Sequence, residues 1–188
     1  MTRYRSRLLV LTVAALATLG VISPASAATQ PYCGITWGSG AEVNDPREDT
    51  EVVNDVRAGR HACFDRLVFD VGGQDTRFST YNVRYVPLVH QDGSGFPVPV
   101  RGGAVLQVIL GAPAHDQYGN STVPTSSEMV DVAGFRTFRQ VAFAGDFEGQ
   151  TTWALGVRAR LPFRVFTLTG TPQSDDTPRL VIDVAHRW

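Results

Sequence analysis

Hydrophobic and polar residues alternate along most of the chain with a period of two, the mark of strands that turn one face to a core. In Phe64-Asp65-Arg66-Leu67-Val68-Phe69-Asp70-Val71 the alternation puts Leu67, Phe69 and Val71 on one face and Arg66, Val68 and Asp70 on the other. Similar runs occupy Tyr81 to Val89, Ala104 to Leu110, Thr137 to Ala144, Thr151 to Val157, Phe163 to Thr169 and Arg179 to Ala185, with a weaker one from Val52 to Arg57. Turn-forming clusters separate them: Gly72-Gly73, Gln91-Asp92-Gly93-Ser94-Gly95, Arg101-Gly102-Gly103, Gly145-Asp146-Phe147-Glu148-Gly149 and the stretch from Pro172 to Pro178. Short strands at this spacing, with Gly and Pro between them and no helical repeat, predict an all-β fold, an antiparallel β-sandwich. The longest irregular piece runs from Gly111 to Glu128, and loops of that length often carry function.

One strand pattern occurs twice. Arg66-Leu67-Val68-Phe69-Asp70-Val71 and Arg179-Leu180-Val181-Ile182-Asp183-Val184 agree at five of six positions across 113 residues. The echo predicts a sandwich with pseudo-symmetric halves, each contributing one such strand. With the larger apolar side chains turned inward, Arg66, Asp70, Arg179 and Asp183 face outward. Arg and Asp four residues apart on one strand lie about 13 Å from each other, too far to pair, so they need partners elsewhere. One reading makes them a ligand-binding set, because the planar guanidinium suits carboxylates and polar hydroxyls. The other is cross-strand ion pairing. If the two strands are antiparallel neighbours with Val68 opposite Val181, Arg66 meets Asp183 and Arg179 meets Asp70.

The first residues follow a different pattern. Arg3, Arg5 and Arg7 precede an apolar run from Leu8 to Ile22 and then Pro24-Ala25-Ser26-Ala27, the order of a secretory signal peptide cleaved after Ala27. The expected organisation is a leader over residues 1–27 and one domain over 28–188, secreted or wall-associated, with no transmembrane anchor in the mature chain. The chain has 17 basic residues, all Arg, against 18 acidic ones. Removing the three leader arginines leaves 14 against 18, a net charge of −4, which gives no electrostatic case for nucleic acid or anionic lipid. Cys33 and Cys63 are the only cysteines, and after export they are expected to form a disulfide. Closing a loop of about 31 residues contributes about 3 to 4 kcal/mol on the chain-entropy account. A metal site of Cys33, Cys63 and His61 lacks any C-x-x-C or H-x-x-x-H spacing, and neither a metal nor a cofactor is expected.

For catalysis, His115, Asp116, Asp146 and Glu148 are the best acid/base candidates. A small wall-active hydrolase would need two carboxylates facing one cleft, and Asp146 and Glu148 stand two residues apart between glycines. The competing account makes Gly145 to Gly149 a hairpin turn with both acids solvated. No G-x-S-x-G elbow is present, and His61, His90, His115 and His186 are scattered without metal-like spacing. Trp37 and Trp153 read as core or rim packing.

The order of Cys33-Gly34-Ile35-Thr36-Trp37-Gly38, Cys63 to Asp70, Ala114-His115-Asp116, Gly145 to Gly149, Trp153-Ala154-Leu155-Gly156, Pro162-Phe163-Arg164-Val165-Phe166 and Pro178 to Val184 resembles the AMIN-like domain of secreted actinobacterial proteins. That family is named for its similarity to the AMIN domain of bacterial N-acetylmuramoyl-L-alanine amidases and pilus secretins, a symmetric β-sandwich that attaches its carrier to the cell wall without cutting it. The resemblance implies envelope localisation, peptidoglycan or another wall glycan as ligand, and no catalysis, since no zinc amidase sequence accompanies it. Envelope proteins, paired through an exposed strand edge, are the other class of partner.

Overall fold

The computed structural model describes residues 31–44, 52–72, 78, 80–171 and 174–188. The expected leader over residues 1–27, together with Gly73 and Pro172 of the expected turns, lies outside them.

Among the described residues, alternating sequence becomes eleven strands: β1 (Glu42–Asn44), β2 (Val52–Arg60), β3 (Phe64–Gly72), β4 (Tyr81–Val86), β5 (Val89–His90), β6 (Pro97–Val98), β7 (Ala104–Leu110), β8 (Phe138–Phe147), β9 (Gln150–Val157), β10 (Phe163–Leu168) and β11 (Arg179–Ala185). One sheet has the order β1-β4-β7-β9-β8, the other β10-β11-β3-β2, and β5 with β6 forms a separate hairpin. All pairings are antiparallel. The fold is the expected all-β sandwich. Inward residues of both sheets share one core, in which Leu67, Phe69, Leu106, Trp153 and Ile182 have no solvent exposure. The rings of Phe69 and Trp153 meet across the layers at 5.2 Å. The buried indole N–H of Trp153 is satisfied by Thr151 Oγ1 at 2.9 Å.

The boundaries moved where backbone chemistry intervenes. The run from Tyr81 to Val89 breaks at Pro87, which has no N–H to continue the ladder, so Val89 joins β6 instead of β7. β8 continues through Asp146 to Phe147, and only Glu148 (φ 52°) and Gly149 (φ 81°) make the two-residue turn. This pair of left-handed residues matches the twist of the strands it joins.

The outer face of the five-stranded sheet carries small apolar residues, Val105, Ala142, Ala144 and Ala154, which pack under Val89 together with Val98 and Val100. The covering chain passes very close. A Cβ on Gly156 would lie 2.1 Å from the Arg101 carbonyl oxygen, so no other residue fits there. The β8 edge is closed by Met129 N–H to Val141 and Phe143 N–H to Ser126, which removes a free ladder. At one end of the sandwich the fully buried Asp65 accepts hydrogen bonds from the Thr137 and Phe138 N–H groups, tying β3 to the start of β8. Its other oxygen faces His186 Nε2 at 3.1 Å.

Candidate functional site

The echoed strands β3 and β11 are neighbours in the middle of the four-stranded sheet, with Val68 opposite Val181, Arg66 opposite Asp183 and Asp70 opposite Arg179. The echo is therefore a local two-fold axis through that sheet. Its outward side carries the Arg and Asp positions singled out from the sequence.

At one end the pairing closes. Arg66 holds Asp183 with both prongs, Nε to Oδ1 at 2.6 Å and Nη2 to Oδ2 at 2.9 Å. Arg164, from the adjacent β10, adds Nε and Nη2 to the same Oδ2 at 2.9 and 2.7 Å. The Asp183 side chain is fully buried although it points away from the core, because the two guanidiniums and nearby rings cover it. Arg66 lies 5.2 Å from the centre of Phe64 and 5.4 Å from that of Phe166. Arg164 lies 5.0 Å from Phe166, 5.6 Å from Phe64 and 5.6 Å from Trp37. His61 stacks on Phe64 at 4.5 Å. Two cations share one anion inside a frame of rings, so the patch keeps an excess positive charge while its anion is shielded from water.

At the other end the cross-strand partners separate. Asp70 binds Arg57 of β2, at 2.7 and 3.0 Å, in place of Arg179. The Asp70 hydrogen bond raises the Arg57 guanidinium above its ordinary pKa, against a smaller opposing effect of burial. Arg179 pairs with Asp176 in the preceding loop. Of the four expected ligand-binding residues, Arg66 and Asp183 form one unit, while Asp70 and Arg179 each take a partner the sequence pattern did not name.

Cys33 and Cys63 are joined as a disulfide, with their Cα atoms 6.4 Å apart. The bond fixes a strap, residues 32–38, against the same side of the sheet. Within it, Cys33 (φ 57°) and Gly34 (φ 69°) are both left-handed and reverse the chain. Gly38 and Phe163 then exchange backbone hydrogen bonds at the edge of β10. Trp37 tilts against Phe64 with ring centres 6.0 Å apart, which makes it rim packing, whereas Trp153 is core. Arg164, Phe166 and the strap were absent from the candidate set. The alternation Phe163-Arg164-Val165-Phe166 was the signal for the first two, since it turns Arg164 and Phe166 outward.

The acid/base candidates do not form one cleft. Asp146 is half-buried, not solvated, and its Oδ2 accepts the Ala114 N–H at 2.7 Å and faces His115 Nδ1 at 2.6 Å. Glu148 is exposed at the turn beyond it. Asp116 organises its own loop, accepting from the Tyr118 N–H, the Asn120 N–H and the Asn120 side chain. Those bonds, the side-chain one foremost, hold its carboxyl below the usual range. The carboxylate near Asp146 is one the sequence reading did not choose, Asp92. Burial pushes the Asp92 carboxyl up, the facing Thr152 hydroxyl offsets part of that, and the charge of Asp146 adds to it. Among the described residues, no group of three His, Cys, Asp or Glu side chains could hold a metal ion. No described helix is long and apolar enough to cross a membrane.

Residues 51–186 match the model of the AMIN-like domain. No curated protein matches the chain, and no solved structure does.

Proposed function

The chain belongs to the AMIN-like domain family, and from that premise we propose that it is a non-catalytic binding module that attaches to cell-wall glycan, peptidoglycan first. Membership points to a cell-wall-related binding role. The observation that carries the finer reading is the outward face of the four-stranded sheet, where Arg66 and Arg164 are set among Phe64, Phe166 and Trp37 around the buried Asp183. Rings of this kind present flat apolar faces to pyranose C–H groups, and the surplus guanidinium charge favours carboxylate-bearing polymers. On this reading Arg66 and Asp183 build the face, and Arg179 and Asp70 border it. The leader over residues 1–27 and the single domain over 28–188 belong to the same proposal, since such a module acts outside the membrane. Incubation with purified sacculi followed by sedimentation tests it. The protein is expected in the pellet, and full recovery in the supernatant across salt concentrations would overturn the reading.

A second reading, a small wall-active hydrolase, draws on the His115–Asp146 contact, in which a half-exposed imidazole is oriented by a carboxylate. Release of dye from labelled sacculi by the protein, lost in Asp146→Asn, would establish it in place of the first.

A further inference from the structure

We propose that Tyr32, Trp37 and Arg187 form a subsite for the carboxylate of an acidic saccharide, at the end of the face where the strap lies. The proposal rests on the binding-module reading and names the chemistry it selects. Arg66 and Arg164 each spend Nε and Nη2 on Asp183, so their charge is partly compensated. Arg187 is different. It is exposed, its guanidinium carbon sits 4.5 Å from the centre of the Tyr32 ring, and no described carboxylate pairs with it. A ring beneath a guanidinium holds it by cation–π attraction and leaves its edge donors open for a planar anion.

Trp37 extends that ring surface. Its indole N–H is spent on the Tyr32 carbonyl at 2.9 Å, which locks the two residues together and leaves Trp37 a ring to offer and no donor. From Trp37 the rings continue to Phe64 and then His61. The turn that carries Tyr32 has no buried residue, so the core gains nothing from it. Even so, it is pinned by a covalent bond through Cys33 and by the Gly38–Phe163 hydrogen bonds. Such pinning serves a surface that must hold its shape. Tyr32, Trp37 and Arg187 all fall outside residues 51–186. The matched region therefore provides the lattice around Asp183, and the flanking segments add two rings and a cation with no ion-pair partner among the described residues.

An exposed guanidinium beside ring faces fits a pyranose that bears a carboxylate. In wall glycan, N-acetylmuramic acid bears a lactyl carboxylate wherever its stem peptide has been removed, and N-acetylglucosamine is the same ring without it. Titrating the intact protein with each sugar, followed by NMR, separates the contributions. N-acetylmuramic acid is expected to shift the Trp37 indole signal and to bind about tenfold more tightly than N-acetylglucosamine. Arg187→Gln should abolish that preference, Trp37→Ala should weaken both sugars, and Arg101→Gln, in the segment between β6 and β7, should change neither. Equal affinities, no binding of either sugar, or an unchanged preference in Arg187→Gln would overturn the subsite. If Trp37→Ala unfolds the protein, the Arg187→Gln arm decides alone. Retention on sacculi without a muramic acid preference removes the subsite and leaves the binding-module reading standing. A muramic acid preference without retention does the reverse.

Discussion

The two ends of the β3–β11 pair carry the same residue types in the same register, yet they are built differently. Arg66 faces Asp183 at one end and Arg179 faces Asp70 at the other. Asp183 is wholly buried under two guanidiniums and a ring frame, while the Asp70 side chain keeps 18% of its exposure and pairs with an Arg57 that is half in water. The cause lies one strand further out. On one side β10 contributes Arg164 and Phe166, and on the other β2 contributes Arg57 and places Asp55 opposite Asp70. A strand motif fixes which groups face outward, and the neighbouring strand decides whether they become a shielded ion cluster or an ordinary surface pair.

The largest expected effect breaks the comparison if it is absent. Asp183→Ala leaves two guanidiniums facing each other without their anion and should cost about 3 to 5 kcal/mol in denaturant unfolding, whereas Asp70→Ala should stay within about 1 kcal/mol. Similar costs at the two positions would mean that the burial of Asp183 has no energetic meaning. Next comes the ring frame. Phe166→Ala should lose about 1 to 2 kcal/mol by uncovering Arg66 and Arg164, and Leu168→Ala, at the Asp70 end of the same strand, about 0.5 kcal/mol or less.

Asp92 sharpens the contrast from the other sheet, as a partly buried carboxylate with Asp146, not guanidinium, nearby. Its folded-state pKa is raised, so the folded chain holds its proton more tightly than the unfolded chain and loses stability as pH rises through the carboxylate range. Asp92→Asn is therefore expected to raise the melting temperature at neutral pH and to have little effect below about pH 3, where both states are protonated. A variant that is less stable at neutral pH would contradict the assignment. The smallest effect is one of screening. At 1 M salt the cost of Asp70→Ala should shrink toward zero, while that of Asp183→Ala persists, because exposed pairs are screened and buried ones are not.

Much of this fold can be read from alternation alone. β7 and β11 have the limits the pattern predicts, and the register that joins Arg66 to Asp183 follows once the two echoed strands are set side by side. What alternation does not encode is the order of strands in a sheet. Arg164 could be seen to face outward but not to stand beside Asp183, and Asp92 could not be placed against Asp146 because a hairpin tip brings them together. Arg187 and Tyr32 lie 155 positions apart in sequence. Their contact depends on where the Cys33–Cys63 bond sets the strap down, which local periodicity cannot express.

That bond also sets how the molecule bears mechanical load. Cys63 sits in the turn between β2 and β3, so a pull on the chain before residue 32 passes through the disulfide into β3, an interior strand hydrogen-bonded on both sides. Without it, the same tension would fall on the two Gly38–Phe163 hydrogen bonds at the margin of β10, which can open one after the other like a zip. With it, the strap is held past those two bonds and the load is handed to the ladders on either side of β3.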